Sequence, residues 1–161
     1  MKNFRVVTLF MAMAPAFLFA GDDSGAGGLE GTWRVEVTRR SCESGLASQP
    51  FQSLLTFARG GTLTGTTANP AFLAGQRSGD HGFWSPAGVR VFSAVDEAFI
   101  LFDSPGSGSG PGFKAGTQQI SQTIEMKNDD EFTSSASTSF FDVRGKLLNK
   151  GCASAIGHRL R

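Results

Sequence analysis

From Gly31 onward, apolar and polar residues alternate with a period of two, and short runs of Gly, Pro, Asn and Asp interrupt the alternation. A chain that puts every second side chain on one side, in short punctuated segments, is built of β-strands with one buried face. The 21 glycines weigh further against helices. In "GTWRVEVTRR" the residues Trp33, Val35 and Val37 alternate with Thr32, Arg34, Glu36 and Thr38. In "PFQSLLTFARGGTLTGTT" Phe51, Leu55 and Phe57 share a face, and Arg59-Gly60-Gly61 supplies a hairpin turn. "DHGFWSPAGVRVFSAV" reads as strand, turn at Pro86-Ala87-Gly88, strand, with the apolar run "EAFILF" continuing the second. Ile120, Ile124 and Met126 share a face of "TQQISQTIEMK", and turns at Asn128-Asp129-Asp130 and Arg144-Gly145 flank "EFTSSASTSFFDV".

These segments predict eight strands, near 32–40, 50–58, 61–67, 80–86, 88–102, 113–127, 131–143 and 147–160. The segment "DSPGSGSGPGFK" between the fifth and sixth is a flexible loop by composition. Antiparallel strands joined mostly by hairpins make an up-and-down barrel or a sandwich. The cysteines favour the barrel. In a closed meander the first and last strands pair antiparallel, which brings the end of the first beside the start of the last. Cys42 follows the first strand and Cys152 lies early in the last, so closure permits a Cys42–Cys152 disulfide.

At the opposite end of the same strand pair stand Gly31-Thr32-Trp33, opening the first strand, and Arg159, ending the last. In these residues the chain resembles the calycin superfamily, the lipocalins and their relatives, over roughly Gly31 to Leu160. The resemblance implies an all-β, eight-stranded antiparallel up-and-down β-barrel. Its closed end would be plugged by Gly31, Trp33 and Arg159, with the Arg159 guanidinium across the Trp33 indole. The chain departs from true lipocalins in lacking a Thr-Asp-Tyr-like motif, because it contains no Tyr, and no C-terminal helix is expected after Arg161. It is thus lipocalin-like rather than a lipocalin; barrels of the allene oxide cyclase type are the nearest competing architecture.

The N-terminus "MKNFRVVTLFMAMAPAFLFAGDD" places Lys2 and Arg5 ahead of an apolar run from Val6 to Ala20, the order of a secretory signal and too short for a membrane span. Cleavage is expected after Ala20, with Ala26 as a second possible site. Residues 1–20 are therefore read as a signal peptide, 21–30 as a flexible segment and 31–161 as the barrel domain, in a secreted or periplasmic protein where a disulfide persists. Removal of the signal leaves 141 of the 161 residues, enough for one domain with a real core. It also takes Lys2 and Arg5, so the net charge falls from +1 to −1. A near-neutral chain without basic clusters has no electrostatic footprint for nucleic acid, and no membrane span remains after signal removal. Of the 15 phenylalanines four leave with the signal, and the other eleven imply a large dry interior.

Catalytic and metal chemistry find little support. Asp80 and His81 are adjacent and would point to opposite faces of a strand, so they do not make a base and its orienting carboxylate. His81 alternates with Phe83 and Ser85, and Asp80 with Trp84. Placing His81 and Phe83 on the interior face gives a pocket one polar contact at its mouth and an apolar wall. Leu55, Phe57, Val91, Ile124 and Phe140 would add to that wall from neighbouring strands. His158 could be inward beside Ile156 and Leu160, but no close pair of metal ligands exists and no cofactor is implied. The paired carboxylates Asp96-Glu97 lie between apolar runs and read as a solvated kink. The function expected is interior binding of a small apolar or amphipathic molecule, without a stated reaction, since an eight-stranded barrel holds at most one small ligand. Two alternatives are a small-barrel cyclase or isomerase using His81 or Ser85 as its polar handle, and a filled-barrel envelope interaction protein. A continuous interior void separates the first two from the third.

Overall fold

A computed structural model of the chain describes residues 28–101 and 115–161. Those residues form a closed antiparallel barrel of eight strands in sequence order: β1 (Gly31–Arg40), β2 (Phe51–Ala58), β3 (Thr62–Thr67), β4 (Asp80–Gly88), β5 (Val91–Ile100), β6 (Gly116–Met126), β7 (Glu131–Asp142) and β8 (Leu147–Arg159). The expected signal peptide, and the loop "DSPGSGSGPGFK", lie outside the described residues. No helix among the described residues is long and apolar enough to cross a membrane.

Closure is made by β1 and β8, which pair antiparallel from Trp33 opposite Arg159 to Arg40 opposite Cys152. The Cys42–Cys152 disulfide forms beside the last of these pairs, with Cα atoms 5.2 Å apart. At the other end Arg159 lies over the Trp33 ring, its guanidinium carbon 4.2 Å from the ring centroid. Its three nitrogens donate to the carbonyls of Asp129 (2.7 Å), Glu30 and Gly28, and the Trp33 indole N–H donates to the Leu29 carbonyl at 2.9 Å. Gly31 adopts a φ of 128°, and a Cβ there would lie 2.6 Å from an Arg159 nitrogen. Glycine is therefore required twice over, by conformation and by space.

Alternation divides the interior into two levels. Trp33, Phe57, Leu63, Trp84, Phe92, Ile124 and Phe132 fill the half nearest Arg159 and are almost fully buried. Their rings meet edge-on or tilted, with Trp33 to Phe132 centroids at 4.9 Å and Trp84 to Phe92 at 5.6 Å. The other half, toward the β1–β2, β3–β4 and β7–β8 connections and the disulfide, is hollow.

The β4–β5 turn falls later than the sequence predicts. β4 runs through Pro86 to Gly88 with a shift in register between those two, and the chain reverses at Val89–Arg90, Arg90 taking a φ of 57°. A bulge tolerates Pro86, which has no N–H to give the ladder. The later turn makes Val91 the first residue of β5 and puts it on the outer face with Ser93 and Val95, while Phe92 points inward.

Two outcomes are expected in unfolding experiments. Breaking the disulfide, by reduction or by Cys42→Ser, should lower stability by about 3–5 kcal/mol, given a span of 110 residues between the cysteines. Non-reducing mass mapping of the native protein should find the bond and no free thiol. Trp33→Ala, measured by denaturant unfolding, should cost about 3–5 kcal/mol as large aromatic core truncations do, and should do so without altering the disulfide.

Candidate functional site

The hollow half encloses a cavity of about 480 Å³. Depth along each strand orders its walls. Just above the packed base, Val35, Leu55, Asp96, Gln122 and Ser134 face inward; nearer the mouth come Val37, Phe51, Ile120 and Phe140. An apolar collar thus sits over a partly polar floor.

The polar side of that floor is a side-chain cluster delivered by three elements. The β3–β4 connection ends in a short stretch that lies along β5, with Ser78 N–H bonded to the Phe99 carbonyl (3.0 Å) and Leu101 N–H to the Gln76 carbonyl (2.8 Å). This fixes Arg77 so that its guanidinium enters the barrel. There Nη1 donates to Asp80 Oδ2 at 3.1 Å, Nη2 donates to Asp80 Oδ1, and Nε donates to Gln118 of β6. Both partners of the ion pair are only 5% exposed. A phenyl ring caps the cation from above, Phe72 lying 5.8 Å from the guanidinium carbon. A bidentate, aromatic-capped arginine is the arrangement in which a buried charge is best satisfied.

Asp96 is the second carboxyl. It is inward in the middle of β5, opposite Gly82 and Ile120, and 2% exposed. Gln122 donates to it at 3.5 Å. Burial, then the neighbouring Asp80 carboxylate and the hydrogen bond with it, push the Asp96 carboxyl up to about 7, against the opposing pull of Arg77 and Gln122. One arginine cannot balance two carboxylates in a dry site, so Asp96 keeps its proton into the neutral range. Gly65 of β3 makes room for this: a Cβ there would lie 2.5 Å from Leu55 Cδ2 and 3.4 Å from Asp80 Oδ2.

The sequence-predicted site is only partly assembled. Leu55 and Phe140 line the cavity. Phe57 and Ile124 point inward but lie in the packed base below it. His81 and Phe83 are corrected: they face solvent, Phe83 being 62% exposed, and Asp80 and Trp84 take the interior. Trp84 wins the inner face because its indole N–H reaches the Ala58 carbonyl at 3.1 Å while its rings pack against Phe57 and Phe92. Val91 is corrected likewise, Phe92 being the larger apolar side chain of that pair. The solvated kink expected at Asp96-Glu97 is unbroken strand. Arg77, Asp80, Asp96, Gln118 and Gln122 were thus missed, although Asp96 stands in phase with Phe92, Ala94 and Ala98, all buried. An isomerase built on His81 or Ser85 loses both handles from the interior.

Fold and cavity together define a closed antiparallel β-barrel with a ligand-sized interior. No family model matches the chain, and no curated protein matches it. Among solved structures the barrel is similar to EF1p2_mFAP2b bound to DFHBI, with a TM-score of 0.54 at 18% sequence identity, over 84% of this chain and 97% of that chain. At that identity the likeness is one of fold.

Asp96 sets a pH dependence whose sign is fixed. The folded barrel keeps to about pH 7 a proton that the unfolded chain releases near 3.8. Folding is therefore favoured by this group at low pH, and the contribution is lost as pH rises from about 4 to about 7, by on the order of a few kcal/mol. Asp96→Asn, whose amide can still donate to Asp80 and accept from Gln122, should match the wild type near pH 4 and exceed it above pH 7. Denaturant midpoints of the two proteins across that range measure the difference.

Proposed function

We propose that this protein is an exported small-molecule-binding barrel, taking one amphipathic ligand into its hollow half with the polar end toward the floor. The observation that carries this reading is the cavity itself, whose volume of about 480 Å³ lies in the range of small-ligand sites. A core built only for stability continues its packing to the mouth, whereas here the aromatic packing stops halfway. The collar of Val37, Phe51, Ile120 and Phe140 offers an apolar body desolvated contact, and the floor offers an orienting polar end a small number of fixed groups. The likeness in fold to a barrel solved bound to DFHBI is in keeping with a small-molecule role. Export is argued from the signal-like order of residues 1–20 and from the disulfide, a bond that lasts in oxidising compartments.

Titration with a neutral environment-sensitive dye tests this, paired with native mass spectrometry of protein from its own host. Ala136 lines the cavity from β7, so Ala136→Phe fills the void while leaving the Trp33 base intact. The wild type should bind the dye and be raised in melting temperature by it, and Ala136→Phe should lose about tenfold or more in affinity, which corresponds to about 1.4 kcal/mol. Equal binding by a folded Ala136→Phe protein would place the ligand elsewhere and reject the reading.

A further inference from the structure

The cavity floor carries one more carboxyl than it has cations to balance. The charged side chains that face it are Asp80 from β4, Asp96 from β5 and Arg77 from the connection before β4; β6 adds the neutral Gln118 and Gln122, and β7 adds hydroxyls. The other charged residues that line the cavity, Arg39 and Arg40 of β1 and Lys150 of β8, are exposed at its rim, where their fields are screened. Arg77 is already committed, with two nitrogens on Asp80 and the third on Gln118. Asp96 is left with a long hydrogen bond from Gln122 and the one it shares with Asp80.

We propose that this floor receives the ammonium group of an amphipathic amine, which donates to Asp80 and Asp96 together while its apolar body lies along Leu55, Ile120 and Phe140 toward the mouth. The proposal rests on the cavity being a ligand site, and it names the ligand's class. Charge balance selects the amine. With ammonium in place, two cations face two carboxylates, and the three N–H donors of a primary ammonium match acceptors on both. A carboxylate at the same depth would meet two carboxyl groups and an arginine whose charge Asp80 already balances. An alcohol would find partners but bring no charge. Since Asp96 holds a proton below about pH 7, the ammonium takes the place of that proton, which leaves to solvent, and the net charge of the floor is unchanged.

Calorimetry with octylamine, octanol and octanoate on the full disulfide-bonded protein tests the proposal, since the three share a tail and differ in the head. Octylamine should bind at least about tenfold tighter than octanol, with octanoate weakest. Asp96→Asn should bring octylamine to the level at which the same variant binds octanol, and a denaturant midpoint at or above the wild type's shows that the variant is folded. Compared across buffers of different ionisation enthalpy, octylamine binding should release close to one proton at about pH 6 and close to none above about pH 8. Tighter binding of octanol or octanoate, or octylamine affinity indifferent to Asp96→Asn, overturns the amine assignment. Should octanol or the neutral dye bind while octylamine does not, only that assignment falls; should none of them bind, the ligand-binding reading falls with it.

Discussion

Arg159 ties together three pieces of chain at the base of the barrel. Its guanidinium lies across Trp33 and its nitrogens hold the carbonyls of Gly28, Glu30 and Asp129, so the last strand is fixed both to the entry of the first and to the β6–β7 turn. The carbonyls it satisfies lie where β1 begins and where a hairpin turns, places at which the ladder supplies no donor. An apolar residue could cover the indole but would leave those acceptors unpaired. Lysine could reach one of them but could not stack. With the base closed in this way, the aromatic set from Phe57 to Phe132 is dry and fully packed, and it supplies the stability that lets the upper half stay hollow.

Hollowness has a structural cost that the disulfide offsets. Above the aromatic layer β7 and β8 turn mainly small residues to the interior, among them Ser134, Ala136, Thr138, Gly151 and Ala153, which are too short to meet the facing wall. Without the disulfide, the pairing of β1 with β8 there would rest on the hydrogen-bond ladder and one exposed side-chain bond, from Arg40 Nε to Ser154 Oγ at 2.8 Å, at the seam where barrel closure brings together the residues most distant in sequence. Cys42–Cys152 pins this seam at its open end, as Arg159 with Trp33 pins it at the closed end. A wide mouth and a fixed seam are thus compatible.

The fold was legible because each of its signals is local and redundant. Strand segments showed in the alternation, hairpins in the glycine and asparagine turns, closure in two cysteines and in a Gly-x-Trp with its distant arginine. The site was legible only in part, and the misses share one cause. Strand 80–88 carries an aromatic on each face, Phe83 and Trp84, so period two fixes the two sets of residues but not which set is inside. Choosing the phenyl sent His81 inward and Asp80 outward, and with Asp80 outside there was no partner to make an inward Asp96 sensible. What decides between the faces is tertiary: the carbonyl of Ala58 accepts from the indole N–H, and the guanidinium of Arg77 pairs with Asp80. Arg77 itself comes from a connection whose composition gives no hint that it enters the barrel.

The buried polar set is best understood against what the same level of the barrel could have held. Replacing a buried ion pair with well-packed apolar residues is often neutral or stabilising, and a second carboxyl sharing one arginine adds a cost that grows as it ionises. The base of this barrel demonstrates that the chain can fill an interior with rings and branched aliphatics. At the floor of the cavity it instead brings a loop arginine inside, balances it with Asp80, and sets beside the pair a carboxyl that remains protonated into the neutral range. None of these groups is needed to close the barrel, which is held by Arg159 and the disulfide. On the proposed reading their placement serves recognition: a floor with one proton site, under an apolar collar wide enough for a small molecule.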